Sequence, residues 1–336
     1  MKMNRRRALA CLGGTITAGT VLRHAHAAEF QLKWGTSHAP NFPSNLAIQR
    51  AAAAIKEETA GRVQVQLFHS GQLGSDTDMF SQLRSGALDF YITTGPFLGA
   101  IVPVAGITGV GFAFSDYGKV WDALDGDLGK HIRSKLIANA GVYPFDHIWD
   151  LGYRQISSKS KPIVTPDDLS GFKIRVAVVP IILSLFKALG ASPTALNFAE
   201  VYSALQTGLV DGQENPVGLI YNSRFYEVQK YISVTNHLWD GLWPLASTST
   251  WQRLPANLQE IVAKHVNEAG RWQRVESNTA NEKLRKSLAD AGLQFVNADI
   301  AAFQAKLKAR GYYAEWRKTF GDESWSILER YTGSLA

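Results

Sequence analysis

The chain of 336 residues contains a single cysteine, Cys11, so no disulfide can form within it. Cys11 follows the arginines of the N-terminus by only three residues, too few for the apolar core of about 7 residues that would precede a lipoprotein cysteine. We expect it to be removed with an N-terminal leader. The remaining chain would lack cysteine, which suits an oxidising compartment where a lone thiol is reactive.

Long hydrophobic runs and a strong excess of one charge are also missing. No internal stretch approaches the ~20 apolar residues that a membrane helix requires. The net charge of +6 comes largely from the first 27 residues, and without them 30 basic side chains face 29 acidic ones. This balance argues against a nucleic-acid partner. The length is sufficient for two lobes, each with its own core.

Residues 1–27 have the organisation of an export signal. Positive charges come first, a mildly apolar run over 8–22 follows, and Ala25-His26-Ala27 matches a cleavage site. The arginines within 4–9 favour the twin-arginine route over the general secretory route. The sequence therefore predicts a periplasmic protein.

Motifs that indicate catalysis are missing as well. The sequence has no G-x-S-x-G elbow, no H-E-x-x-H and no Walker loop, and its histidines lack metal-ligand spacing. We therefore expect a protein that is not an enzyme and has no cofactor, no metal and no catalytic residue. Asp146-His147 could act as an acid–base pair, so a lyase-like periplasmic enzyme remains an alternative.

Alternating strands and helices predict an α/β fold with parallel sheets. Strands are predicted over 30–36, 63–68, 88–93, 154–157, 173–175 and 192–196, and helices over 45–58, 76–84, 117–124, 128–139 and from 300 onward. A further helix over 255–291, softened at Gly270, would be on the order of 50 Å long and exceed a single lobe.

The segment 190–216 is the most informative part of the chain. It predicts a strand, a helix over 200–206 that ends at Gly208, and a turn at Asp211-Gly212. The polar residues 213–215 and Pro216 would then form a loop. The pattern alone favours an ordinary αβ loop with solvated amides over a recognition site.

This segment resembles the signature of the extracytoplasmic solute-binding subunits of TRAP transporters, the DctP family. Further motifs of that family match at 70–74, 152–155, 168–176 and 225–231, in the same order and spacing. The resemblance implies a two-lobed periplasmic binding protein fold with a hinge cleft and a long helix spanning both lobes. Lobe I would comprise 28–151 plus about 241–279, and lobe II 152–240 plus about 280–336.

The resemblance also implies a ligand site in the cleft. In similar proteins the arginine at the position of Arg175 binds the substrate carboxylate, although such an arginine alone is more often a surface ion-pair partner. Asn215 would support the same carboxylate, and Arg154 would assist it or act as a strut at the hinge. The other cleft positions implied by the resemblance are Phe198, Ser37, Asp76 and Thr94. Sialic-acid-binding relatives tend to carry an acid where Thr94 stands, which argues against a polyol sugar acid.

Two of the nine tryptophans, Trp149 and Trp239, lie where the chains of similar proteins run close to the cleft. Core packing is the alternative for each. Together they suggest a monocarboxylate ligand with an apolar or aromatic body. The predicted function is capture of this organic acid and its delivery to the small and large permease subunits, by a monomer. A ligand-binding partner of a sensor domain remains a further alternative.

Overall fold

A computed structural model describes residues 28–335 of the chain. The predicted export signal and Cys11 lie outside the described residues. Across 28–335, no helix combines the length and apolar character needed to cross a bilayer.

The described residues contain strands that all join one mixed sheet. The strands are β1 (Phe30–Gly35), β2 (Val63–Phe68), β3 (Phe90–Thr94), β4 (Val142–Pro144), β5 (Trp149–Ser158), β6 (Lys173–Val176), β7 (Ser192–Ala195), β8 (Gly212–Pro216), β9 (Tyr231–Val234), β10 (Trp239–Ser247) and β11 (Gln294–Asn297).

Helices alternate with the strands along the chain, and three consecutive helices form its C-terminal part. The helices are α1 (Pro43–Glu58), α2 (Asp76–Ser85), α3 (Gly95–Leu98), α4 (Tyr117–Asp125), α5 (Asp127–Asn139), α6 (Pro180–Leu189), α7 (Val201–Thr207), α8 (Val217–Asn222), α9 (Thr248–Arg253), α10 (Ala256–Asp290), α11 (Ile300–Ala309), α12 (Tyr312–Phe320) and α13 (Asp322–Thr332). Most of the elements that the sequence predicted lie within a few residues of their predicted positions, because hydrophobic periodicity and glycine stops define them locally. The elements that the sequence did not predict are β4, β8, β9, β10, β11, α3, α6, α8 and α9.

The sheet is not purely parallel, which corrects the prediction. Its main path runs β2-β1-β3-β10-β5-β8-β6-β7. Parallel pairs form at both ends, whereas β10 is antiparallel to β3 and β5, and β5 is antiparallel to β8. Strand and helix alternation does not encode direction. The long strands β5 and β10 each carry the chain from one half of the sheet to the other.

The segment predicted as a polar loop at 213–216 is also different in the structure. It forms β8, a central strand whose five residues are all buried. Its amides and carboxylate are held there by neighbouring polar side chains, which offset the cost of burial. The signature of this chain is therefore a buried strand and not a solvated turn.

Helix α10 is continuous over 35 residues, in agreement with the single long helix that the sequence predicted over 255–291. It packs on α1 in the first half of the molecule and on β5 and α8 toward the second. Gly270 does not break it. A Cβ atom added at Gly270 would lie 2.5 Å from Nε1 of Trp149, so this glycine allows the helix to approach the sheet. The division into lobe I (28–151 plus about 241–279) and lobe II (152–240 plus about 280–336) stays a prediction.

Candidate functional site

A cavity of about 80 Å³ lies where the two halves of the sheet meet. It brings together seven of the nine predicted site residues, namely Ser37, Asp76, Thr94, Arg154, Arg175, Phe198 and Asn215. They come from segments as distant in sequence as β1 and β8. Their convergence is a property of the fold and not of any one motif.

Arg175 is the most unusual of these residues. It stands in β6 beside β8, opposite Gln213, and its side chain is only 2% exposed. Its Nε and Nη2 both donate to the carbonyl oxygen of Leu196, and no carboxylate of residues 28–335 lies within ion-pair distance. Burial lowers the pKa of Arg175 to about 10. A buried guanidinium without a nearby carboxylate partner is energetically costly.

Asn215 stands on the same cavity wall and is held by a chain of buried polar groups. Its Nδ2 donates to Oε1 of Gln213, whose Nε2 donates to Oγ of Ser157 at 2.8 Å. Ser157 in turn donates to Gln229 at 3.1 Å. This chain fixes the orientation of the Asn215 amide. An amide group has two N–H donors, and only one of those of Asn215 is used in this chain.

Arg154 also reaches the cavity, but its charge is already paired. Its Nε and Nη2 donate to the two carboxylate oxygens of Glu214, the second at 2.7 Å, and its Nη1 donates to Asp240 at 2.9 Å. Burial opposes the charge of Glu214, yet Arg154 outweighs it and lowers the Glu214 pKa to about 2. His237 completes the cluster through a 3.1 Å contact with Glu214. Of the two roles predicted for Arg154, this geometry corresponds to a structural ion pair with acidic residues and not to direct contact with a ligand carboxylate.

Asp240 also lines the cavity, beside an irregularity in the sheet. Asp240 pairs with Gly152 and Gly241 pairs with Asp150, which leaves Leu151 as an extra residue in β5. Such a bulge turns side chains away from their regular alternation. Gly152 accommodates it with a φ of 115°. The extra residue Leu151 lines the cavity, and so does Asp240, which shares one face of β10 with Leu242.

The opposite wall carries polar side chains from the first half of the sheet. Oδ1 of Asp76, the first residue of α2, accepts a hydrogen bond from Tyr91 at 2.8 Å. Thr94 ends β3 and caps α3, where its Oγ1 accepts from the Phe97 amide at 3.4 Å. Ser37 lies beside them. These groups offer several hydrogen-bonding partners opposite Arg175.

Trp149 and Trp239 do not line the cavity. Trp149 packs in the core, with its ring 6.1 Å from that of Trp34. Trp239 is fully buried, and its Nε1 donates to Asp150 at 2.9 Å. Along β10, Asp240 and Leu242 line the cavity while Trp239 and Trp243 point into the core. Successive side chains of a strand point to opposite faces. The rings of Trp239 and Trp243 therefore lie on the face of β10 away from the cavity, where they cannot stack on a ligand.

The Asp146-His147 pair is likewise absent from the cavity lining. Asp146 lies 3.7 Å from Arg133, whereas the ring of His147 contacts Asp125 at 3.4 Å and Arg271 at 2.9 Å. Each side chain thus has its own partners elsewhere. The placement gives no support to an acid–base role in the cavity.

Apolar side chains complete the cavity, and sequence reasoning missed most of them. They include Ile92, Leu151, Val179, Ile182, Leu219 and Leu242. Asp240 was missed as well. A signal for it exists in the sequence, because it is an isolated acid within the otherwise apolar run 238–245 of a buried strand. Acidic residues are seldom fully buried without a specific reason.

Comparison with known proteins places the chain in a family. The model of the bacterial extracellular solute-binding protein family 7, DctP, matches residues 34–318. An uncharacterised protein of Sinorhizobium fredii is 37% identical over 276 residues, which are 81% of this chain and 50% of that protein. The chain thus spans about half the length of that relative.

Two solved structures are similar over nearly their whole length. A TRAP periplasmic solute-binding protein of Roseobacter denitrificans with bound L-galactonate is 31% identical, with a TM-score of 0.84, and the match covers 91% of this chain and 99% of that one. Another, of Sulfurospirillum deleyianum with bound succinate, is 30% identical, with a TM-score of 0.85 and coverages of 91% and 99%. These matches confirm the predicted two-lobed α/β fold. The chain belongs to the DctP family of TRAP periplasmic solute-binding proteins.

Proposed function

We propose that this protein captures an organic monocarboxylate in the cavity between its lobes and that Arg175 binds the carboxylate. The observation that carries the proposal is the 2% exposure of Arg175 without any acidic partner among residues 28–335. A ligand carboxylate supplies the missing charge, and Arg175 can offer it charge-assisted hydrogen bonds. The free N–H of Asn215 supports the same anion.

The charges around the cavity favour one carboxylate over two. Glu214 and Asp240 already contact Arg154, so Arg175 is the cation left for a ligand among the described lining residues. A second carboxylate would lie near Asp76 or Asp240 without a cation of its own. Like charges in a desolvated site repel strongly. The protein should therefore differ from its Sulfurospirillum neighbour, which was solved with succinate.

The rest of the ligand would contact the apolar wall of the cavity. The branched and aromatic side chains of this wall include Leu151, Val179, Ile182, Leu242, Phe97 and Phe198. Burial of apolar ligand surface against them contributes about 25 cal/mol per Å². A branched or cyclic body is therefore favoured over a fully polar one, even though the Roseobacter neighbour was solved with L-galactonate.

We further propose that the protein acts in the periplasm as a monomer and passes its ligand to the small and large permease subunits of a TRAP transporter. The family assignment supports this, since the matching model describes extracellular solute-binding proteins. Contacts from both lobes would give the closed form its higher affinity. Cell fractionation and size-exclusion chromatography test the location and the monomer, and uptake in cells lacking either permease subunit tests delivery.

The test of the site is a comparison of Arg175 variants by calorimetry and thermal shift. The protein is first freed of carried-over ligand by unfolding and refolding, and then titrated with branched, cyclic and aromatic monocarboxylates, dicarboxylates and sugar acids. Arg175→Ala should weaken binding of the best acid by about 2–5 kcal/mol. Arg175→Lys should recover only part, because an ammonium group cannot form the planar fork.

Arg62→Ala is the matched control, because Arg62 forms an exposed pair with Glu29 and does not line the cavity. It should bind like the unchanged protein. Wild-type affinity in Arg175→Ala would refute the assignment of the carboxylate site. Tightest binding of a dicarboxylate would keep the family function and reject the proposed ligand class.

A further inference from the structure

One carboxylate oxygen in the cavity wall has no assigned role. Asp240 is 1% exposed, and its Oδ2 accepts from Arg154 at 2.9 Å. Its Oδ1 is buried and has no well-formed hydrogen bond among the described residues, although the nearby Gly241 amide helps to lower the pKa of this carboxyl group, which burial raises. Unpartnered buried carboxylate oxygens are costly and therefore require an explanation.

The pairing of Arg154 does not supply that explanation. Glu214 alone engages two nitrogens of Arg154 through both of its oxygens, so one acid already neutralises the guanidinium. His237 is buried, and burial lowers its pKa, so it adds no compensating charge. Asp240 therefore adds a second negative charge to Arg154 when it is ionised, and Arg175, the other buried arginine of the cavity, forms no ion pair with it. This second charge lies at the residue that lines the cavity.

We propose that Asp240 is a specificity-determining residue whose Oδ1 accepts a hydrogen bond from a hydroxyl or ammonium group of the ligand. The inference rests on the proposed function, in which Arg175 holds the carboxylate. The preferred ligand is then a hydroxy- or amino-substituted monocarboxylic acid. Its carboxylate binds Arg175, its donor binds Asp240, and its hydrocarbon part lies along Leu151 and Leu242, which line the same cavity.

The experiment measures affinities for a matched set of acids by calorimetry. The probes are pentanoate and hexanoate, and their derivatives with one hydroxyl or one amino group moved a carbon at a time along the chain. The best donor-bearing acid should bind at least about tenfold more tightly than its parent, as expected for a hydrogen bond to a charged group. Asp240→Ala and Asp240→Leu should reduce that preference to about twofold or less.

Asp240→Asn separates the two kinds of donor. Its amide oxygen still accepts from either donor but carries no charge, so a hydroxy acid should keep more of its preference than an amino acid, whose ammonium group also loses the charge attraction. Asp150→Asn is the matched control, because Asp150 is a buried aspartate that does not line the cavity. It should leave the preference unchanged.

The outcomes distinguish this inference from the proposed function. If the parent acids bind as tightly as their derivatives, or if the preference survives in both Asp240→Ala and Asp240→Leu, the role of Asp240 is rejected while the carboxylate site stands. If neither this set nor the branched, cyclic and aromatic monocarboxylates bind to the unchanged protein, both are rejected. We expect the variants to fold, because Arg154 retains Glu214, and urea unfolding checks this for each one.

Discussion

Replacing Asp240 by asparagine should change how the stability of the protein depends on pH. Burial, together with the nearby Glu214, raises the pKa of Asp240 from 3.8 to about 7, although Arg154 acts in the opposite direction. The folded protein therefore holds a proton on Asp240 that the unfolded chain releases near pH 4. Between these values stability falls as pH rises, because ionisation costs more in the folded state.

The magnitude follows from the size of the shift. About three pKa units correspond to roughly 4 kcal/mol, at 1.36 kcal/mol per unit. Asparagine cannot ionise. Between pH 4 and pH 8, the free energy of unfolding of Asp240→Asn should therefore rise by a few kcal/mol relative to that of the unchanged protein. Other groups titrate in this range, such as His38, whose pKa burial lowers to about 4. They are present in both proteins and largely cancel in the difference.

The assay is urea unfolding of both ligand-free proteins at several pH values, followed by circular dichroism. The quantity compared is the difference in their free energies of unfolding at each pH. A difference that stays constant from pH 4 to pH 8 would refute the reasoning. It would mean that Asp240 is ionised throughout this range in the folded protein, as a well-compensated partner of Arg154.

Three further predictions concern the surroundings of the site. Gly270→Ala should destabilise the protein by about 1–3 kcal/mol in urea unfolding, since the new methyl group would lie 2.5 Å from Trp149, and an unchanged midpoint would show that the contact relaxes. Glu214→Gln should cost about 3–5 kcal/mol in the same assay, because it removes the main counter-charge of buried Arg154, and a loss below about 1 kcal/mol would contradict that pairing. Trp239→Phe should leave acid affinities in calorimetry within about twofold, because the ring does not line the cavity, and a tenfold loss would return it to the site.

Local sequence features predicted most of the fold. The helices α1, α2, α5 and α10 follow from apolar periodicity and their stops, and β1 and β2 from alternation. Strand direction could not be predicted in this way, because parallel and antiparallel strands have similar local patterns. The buried strand β8 was predicted as a loop because polar residues favour turns locally, while here Ser157, His237 and Arg154 satisfy them from other parts of the chain.

The candidate site also has a part that the sequence predicted and a part that it could not predict. The resemblance of short motifs pointed to Arg175, Asn215 and the other residues that line the cavity, but it could not tell paired from unpaired charges. Arg154 and Arg175 are both arginines on buried strands, yet the first contacts two acids and the second contacts none. Pairing depends on which side chains the sheet brings within a few ångströms, and Glu214 and Asp240 come from two other strands.

The sequence by itself determined the family, the positions of helices such as α1, α2 and α5, and the length of α10, because these depend on local periodicity and on motifs within single segments. The tertiary structure decided what depends on contacts between distant segments. It placed Trp149 and Trp239 in the core, set Asp240 of β10 in the cavity wall, and left Arg175 without an ion-pair partner among residues 28–335. The physical reason is that burial and charge compensation are set by neighbours in space and not by neighbours in sequence.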